Sequence, residues 1–389
     1  MDFELTAEQR LFRKALRDFT DAEIIPVAQE LERSGSYPAK IAERLMELGL
    51  FGLNVPEEYG GLGADRVSYA LAFEEIARGW LGAAGLFGIH SVACLLVARN
   101  GTDEQKQRYL PKMATGELRS GLGLTEPGAG TDLQGIVTTA TRDGDDYVVN
   151  GTKTWITNAR VAGMLPVLVK TDKSAKKPHQ GMSVLLVDTS TPGFTVSRDL
   201  PKLGYKGPET CELVLDNVRV PTANLLGGTE GKGLQQVLNA LEIGRINVAS
   251  RAVGVATAAY EAALQYARDR HAFGQPIANF QAIQLKLADM ATEIQAARLL
   301  TYWAAAKSDA SAGRIDMEAG MAKMYASEVA LKCALDSMRI HGAYGYSAEF
   351  VVERLYRDAP LMAIGEGTND LQRLLIAKSL VAGSGRIGW

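Results

Sequence analysis

Ile136-Val137-Thr138-Thr139-Ala140-Thr141-Arg142 runs into Asp143-Gly144, Tyr147-Val148-Val149 runs into Asn150-Gly151, and Thr152-Lys153-Thr154-Trp155-Ile156-Thr157 follows. β-Branched and aromatic residues in period two, broken by Asp-Gly and Asn-Gly, spell strands joined by tight turns. Such turns need positive φ at their central residues, which Gly, Asn and Asp supply most readily. The expectation is two hairpins in succession, a meander. Met164–Lys170 and Met182–Asp188 continue the strand pattern around a polar loop, 171–180, with Lys173, Lys176 and Lys177 in solvent. Cys211, Leu213 and Leu215 alternate with Glu212, Val214 and Asp216 in a last strand. Residues 119–225 therefore read as a central β domain.

On both sides the period changes to 3.6. Thr6-Ala7-Glu8-Gln9 is a capping box, followed by Leu11, Phe12, Ala15, Leu16 and Phe19 on one helical face. Pro38 opens a second helix that Gly49 can close, and further helices are expected over 68–78 and 83–99. A second box, Thr102-Asp103-Glu104-Gln105, starts a helix expected to stop at Pro111. After the glycines 227, 228, 231 and 233 come long, alanine-rich amphipathic stretches over 234–270, 279–312 and 317–340. A shorter helix, 347–357, is expected before Pro360, and a last one over 368–381. The chain divides into 1–118 helical, 119–225 β and 226–389 helical, the outer parts packing together around the sheet.

Composition narrows the function. Over 389 residues the net charge is −3, with 47% hydrophobic and 22% charged residues, so no broad basic surface advertises a nucleic-acid partner. Cys94, Cys211 and Cys333 are odd in number and never paired as CxxC, which argues against a disulfide framework or zinc site and fits a reducing compartment. Residues 80–98 approach membrane-spanning length, but Gly82, Gly85, Gly88, His90 and Ser91 within them favour a buried helix of a protein with no membrane partner. The start, Met1-Asp2-Phe3-Glu4, lacks a signal-peptide pattern, and a cytoplasmic location is expected. The four histidines (90, 179, 271, 341) are not at metal-ligand spacing, so no metal is expected. There is no dinucleotide fingerprint, phosphate-binding P-loop, nucleophile elbow or HExxH helix. Acid–base chemistry would fall on carboxylates or tyrosines.

Three segments carry positive signals. Leu122-Gly123-Leu124-Thr125-Glu126-Pro127-Gly128-Ala129-Gly130-Thr131-Asp132 joins the helical part to the first strand. Its glycines and threonines offer exposed N–H and hydroxyl donors, able to cradle a pyrophosphate or line a flat heteroaromatic ring. Trp155-Ile156-Thr157-Asn158 ends a strand in the same domain. Ile364-Gly365-Glu366-Gly367-Thr368-Asn369-Asp370 sets an acid between two glycines just before a helix. In an apolar pocket that acid's pKa would rise toward neutrality, as suits a general base.

Together with Arg270-His271-Ala272-Phe273-Gly274, these motifs in this order resemble the acyl-CoA dehydrogenase family over essentially the whole chain. The resemblance implies a mainly α fold: an N-terminal helical domain, a β-barrel-like middle domain and a C-terminal four-helix bundle. It implies non-covalent FAD, a homotetramer and electron-transferring flavoprotein as acceptor. Leu122, Thr125, Gly130 and Thr131 would line the flavin and pyrophosphate, with Thr131 also near the acyl carrier. Trp155, Ile156 and Thr157 would meet the isoalloxazine, and Thr368, Asn369 and Asp370 the diphosphate. Arg270, Phe273 and Gln281 would reach a neighbouring subunit's cofactor. Arg339, Gly342 and Ala343 stand in the segment where the family usually has Gln-x-x-Gly-Gly, and Lys378 where many relatives have Arg.

Glu242 and Arg245 match positions that contact the CoA arm, and the resemblance implies that Gly365 and Gly367 would flank the acyl group. Glu366 matches the catalytic base, taking the α-proton of an acyl thioester while the β-hydride passes to flavin N5, giving a trans-2-enoyl thioester. Some relatives place the base immediately before the arginine corresponding to Arg245, but that position is Gly244. Gly365 replaces a tyrosine of several straight-chain enzymes, so a short or branched acyl group is expected, on CoA or on an acyl carrier protein. The competing readings are a flavin oxidase or monooxygenase of this fold and, remotely, a nucleic-acid-binding homologue.

Overall fold

A computed structural model describes residues 4–311 and 313–383. Six helices lead: α1 Ala7–Phe19, α2 Ile25–Ser34, α3 Ala39–Glu47, α4 Arg66–Gly79, α5 Leu81–Asn100 and α6 Asp103–Thr115. Then come β1 Thr139–Asp143, β2 Asp146–Thr157, β3 Met164–Lys170, β4 Met182–Asp188, β5 Phe194–Asp199 and β6 Thr210–Pro221. The second helical part holds α7 Gly233–Asp269, a small ribbon (β7 His271–Ala272, β8 Gln275–Pro276), α8 Gln281–Ala310, α9 Asp316–His341, α10 Val351–Ile364 and α11 Asn369–Val381. The expected helix end at Ala312 and both chain ends fall outside the described residues.

Both capping boxes form, with Thr6 and Gln9, then Thr102 and Gln105, exchanging side-chain-to-backbone hydrogen bonds. The middle domain is one six-stranded sheet in the order β4-β3-β1-β2-β6-β5, with β4 and β5 at its edges. β3 and β4 are buried on nearly every residue, which is why they read as continuous apolar runs rather than as alternation.

Several sequence expectations need correction: α2, like β5, stands where no element was expected, and the helix expected over 347–357 is α10, Val351–Ile364. Asn150-Gly151 is not a turn: β2 runs unbroken from Asp146 to Thr157, and the pair forms an irregularity opposite β6. The extra residue there belongs to β6, and Gly151 serves close packing instead, since a Cβ on it would overlap Thr138, so the dipeptide alone does not mean a turn. Pro111 lies inside α6, which continues to Thr115 and ends at Gly116 with φ 77°. Pro360 likewise lies inside α10. Each proline removes one N–H from the ladder, and the packed helix tolerates the loss. β5, with burial confined to alternate residues and charges at Arg198 and Asp199, was not anticipated.

The two helical parts share a core. Tyr69, Phe73, Trp80 and Phe87 from α4, α5 and the junction between them pack with Ile243, Ile246, Ala249 and Val253 of α7. α5 is long and apolar enough to cross a membrane by length and composition, yet 89% of its apolar window is buried inside the protein. It is a core helix whose glycines serve the site described next. Cys94, Cys211 and Cys333 are free thiols, all buried.

Candidate active site

The segment before β1 is laid into the sheet. Gly123 N–H donates to Pro166 O, Leu168 N–H to Gly123 O, and Thr154 N–H to Thr125 O, so residues 122–125 run between β3 and β2. A buried neutral histidine fixes its start: burial takes the His90 pKa down to about 4. Its Nδ1 accepts from the Ser120 N–H and its Nε2 meets Met113 O at 2.9 Å. Glu126 serves structure. Its carboxylate accepts from Val137 N–H, Thr138 N–H and the fully buried Lys153 Nζ at 2.8 Å, tying the loop crest to β2. Lys153 holds the Glu126 pKa below the ordinary glutamate value, against the opposing pull of burial.

That frame brings Leu122, Thr125 and the end of β2 onto one ledge. The ladder slips between Lys153 and Ile156, and Trp155 in the slip takes φ 60°. The indole is consequently turned outward, 57% exposed, with Ile156 buried and Thr157 half-buried beside it. Gly130 and Thr131 sit on the exposed crest, where a Cβ added to Gly128 would meet nothing within 4 Å. Asn158, also at positive φ, donates to Leu86 O and pins the ledge to α5.

From α5 the contacts lead to Glu366. Gly85 and Gly88 face the interior: a Cβ on Gly85 would overlap the Tyr205 hydroxyl, and one on Gly88 would lie 3.8 Å from Arg251 Nη1. Arg251 Nη2 donates to Glu366 Oε1 at 2.9 Å. Glu366 has φ 54°, a left-handed conformation rare for non-glycine residues, and its side chain is 16% exposed. The other carboxylate oxygen, Oε2, is buried without a partner against Gly244, where a Cβ would overlap it. Burial raises the carboxyl pKa, with Arg251, Lys323 and Arg245 opposing in that order. Lys323 Nζ clamps the turn by donating to Ala363 O, Gly367 O and Asn369 Oδ1.

Glu242 and Arg245 lie at the same end of α7, both buried. Arg245 Nη1 is 2.8 Å from Asp316 Oδ1, and Glu242 Oε2 is 3.5 Å from Arg314 Nε. Burial raises the Glu242 pKa, and Asp316 adds to the effect. Gly365, with φ −71°, needs no glycine for its backbone, so its missing side chain is a matter of space. Thr368 caps α11. The Asn369 side chain is taken up by Lys323, Ser327 and Glu328, and Asp370 is exposed beside Arg373. Of this last group, only the backbone N–H groups at the helix start remain for an outside anion.

The remaining expected residues form a separate cluster. Arg270, Phe273, Gln281, Arg339, Gly342 and Ala343 gather at the other end of α7, with Arg270 over the Tyr344 ring and Phe273 95% exposed on the ribbon turn. Arg270 is 26 residues beyond Gly244, about 39 Å along the helix axis. Sequence reasoning missed Arg251, Lys323, Tyr205 and Lys153. Arg251 had a signal: seven residues after Gly244, it lies on the same helical face two turns on.

Residues 6–117, 121–218 and 231–381 match, respectively, the N-terminal, middle and C-terminal domains of acyl-CoA dehydrogenases. The chain belongs to the acyl-CoA dehydrogenase family. It is 46% identical to the probable acyl-CoA dehydrogenase YngJ of Bacillus subtilis, over 98% of this chain and all of that one. Butyryl-CoA dehydrogenase from Megasphaera elsdenii superposes with a TM-score of 0.94 at 39% identity, covering 98% of this chain and 100% of that one. A third relative, subunit CarC of the caffeyl-CoA reductase-Etf complex of Acetobacterium woodii, is 39% identical over 96% of this chain and 98% of the other.

Acyl-CoA dehydrogenases are enzymes that depend on FAD. The residues present fit that group: an outward-turned indole at the end of β2, exposed glycines on the loop pinned to that strand, and unpartnered buried polar atoms on Glu366, Arg251 and Arg245. Among the described residues no cluster of three His, Cys, Asp or Glu side chains could hold a metal ion.

Proposed function

We propose that this protein catalyses the α,β-dehydrogenation of a short or branched acyl-CoA, with Glu366 as the base that takes the α-proton. One observation supports this above the others: Glu366 Oε2 is a buried acceptor with no partner, lying against Gly244, where any Cβ would overlap it. FAD, held by Leu122, Thr125, Gly130, Thr131 and the ledge of Trp155, Ile156 and Thr157, supplies an acceptor for the hydride that leaves the β-carbon. The α-hydrogen of a thioester is only weakly acidic, so its carbonyl oxygen must be polarised as the proton leaves, and the backbone N–H of Glu366 is the donor placed for it. Glu242 and Arg245 mark the side on which the carrier arm enters, and Gly365 gives a branched acyl group room beside the reacting carbons.

In the assembled enzyme, Arg270, Phe273, Gln281, Arg339, Gly342 and Ala343 reach the cofactor of a neighbouring copy in a homotetramer. They lie too far along α7 to serve the pocket of Glu366. Electron-transferring flavoprotein is the acceptor, a reading supported by the relative whose complex includes one. Three buried thiols suit a reducing cytoplasmic setting.

The test is anaerobic addition of isobutyryl-, 2-methylbutyryl-, butyryl- and octanoyl-CoA to the yellow holoenzyme. Bleaching is expected with the first three, and its rate rises with pH as Glu366 loses its proton, with a midpoint above the ordinary glutamate value of about 4.3. Glu366→Gln keeps the colour and slows bleaching by about 10²–10⁴. Bleaching of that variant at the parent rate, or a clear preference for octanoyl-CoA, overturns the corresponding part of the proposal.

A further inference from the structure

Resting on the assignment of Glu366 as the base, we infer that Arg251 is the positioning residue for it: the guanidinium holds Oε1, so that Oε2 is the atom that receives the substrate's proton. Arg251 sits on α7, two turns beyond Gly244 and on its face, and its side chain returns toward the helix start. It is buried, and its carboxylate partner is Glu366 itself at 2.9 Å. A buried arginine that served stability alone would be paired with a permanent structural acid, as Arg78 is with Glu75 and Asp21. Arg251 is instead paired with a group whose charge must disappear once in every turnover.

The division of labour between the two oxygens is geometric. Oε1 accepts the guanidinium N–H, while Oε2 points at Gly244, where any Cβ would overlap it. A carboxylate free to rotate would present either oxygen; one anchored at Oε1 presents a single acceptor in a fixed direction. The ion pair also opposes the rise in the carboxyl pKa that burial causes. When Oε2 takes the α-proton, Arg251 loses its counter-ion, and the Tyr205 hydroxyl beside it is the remaining polar neighbour. The pair therefore favours loss of that proton from Glu366 to solvent after product leaves, which resets the site.

The other charged or titratable groups facing Glu366 are Arg245 on α7, Lys323 on α9, Tyr69 on α4 and Tyr205 in the segment after β5. Lys323 is engaged with backbone carbonyls and Arg245 with Asp316, so neither can take over the Oε1 bond.

The experiment compares Arg251→Gln and Arg251→Lys in the holoenzyme, following the bleaching rate at saturating isobutyryl-CoA against pH. Arg251→Gln is expected to move the acidic limb of kcat upward by about one to three pH units. Arg251→Lys restores the limb to near its parent position with a lower plateau, because the charge returns without the fork. KM should change much less than kcat. Independently of turnover, the infrared carbonyl stretch of the protonated carboxyl, identified by its loss in Glu366→Gln, should titrate at higher pH in Arg251→Gln. An unmoved limb and an unmoved stretch, in a variant with parent flavin content, overturn the role of Arg251 while leaving Glu366 as base. A loss confined to KM also overturns it, since Arg251 would then contact the acyl group. Unimpaired bleaching by Glu366→Gln would instead remove the assignment on which the inference stands.

Discussion

Gly244 lacks a side chain where a neighbouring group needs the space: any Cβ there would overlap Glu366 Oε2. The colliding atom is the far end of a flexible side chain, so in Gly244→Ala the carboxylate would swing while α7 stays. Alanine is the better helix former by about 1 kcal/mol, which offsets the local crowding. The variant is expected to melt within a few degrees of the parent while losing about 10- to 100-fold in bleaching rate, since a misplacement of about 1 Å at the reacting atoms can carry that penalty. Calorimetry and stopped-flow absorbance on one preparation check both halves. Parent-like rates would show that the base has no fixed approach. Glu366 was legible in the sequence because an acid between two glycines ahead of a helix is a local pattern. Arg251 and Lys323 were not, because each meets Glu366 or its turn only after α7, α9 and the segment behind α10 have packed.

At the scale of elements, local rules set most boundaries and tertiary packing overrode a few. The capping boxes of α1 and α6 and the runs of β3 and β4 depend on neighbours in the chain and were readable there. Pro111 and Pro360 were misread as stops because a proline removes only one ladder bond, and burial of residues on both sides can outweigh that. The Lys153–Glu126 pair was equally hidden, since 27 residues separate its members, although it fixes the loop of residues 122–132 to β2. Glu126→Gln leaves Lys153 as a buried charge without its counter-ion, and removing one partner of such a pair is destabilising by about 3–5 kcal/mol. A lowered melting temperature with faster flavin loss from the folded protein is expected. The double variant Glu126→Gln with Lys153→Met should recover part of the stability, because it removes the stranded charge. A single variant as stable as the parent would mean that the pair does not hold the loop.

For the whole molecule, the separation of the two residue clusters decides what one chain can do alone. Glu366, Arg251 and the ledge at Trp155 are tied together through α5, whereas Phe273 and its neighbours lie about 39 Å along α7 from Gly244 at 1.5 Å per residue. Phe273 is held at the tip of a tight ribbon with φ 52° at its own position and 78° at Gly274. The turn presents an almost fully exposed aromatic ring, met edge-on by Phe280 of the same chain. The proposed use of the ring is on another copy. Phe273→Asp preserves the turn, because Asp tolerates positive φ, and replaces the apolar contact with a charge. The variant is expected to elute as a smaller species in light-scattering chromatography and to retain less FAD, while the fold of each chain, read by far-ultraviolet circular dichroism, stays unchanged. Loss of flavin without dissociation would place Phe273 at a cofactor within an assembly held by other surfaces. An unchanged assembly with full flavin content would show that the ribbon reaches no neighbour at all.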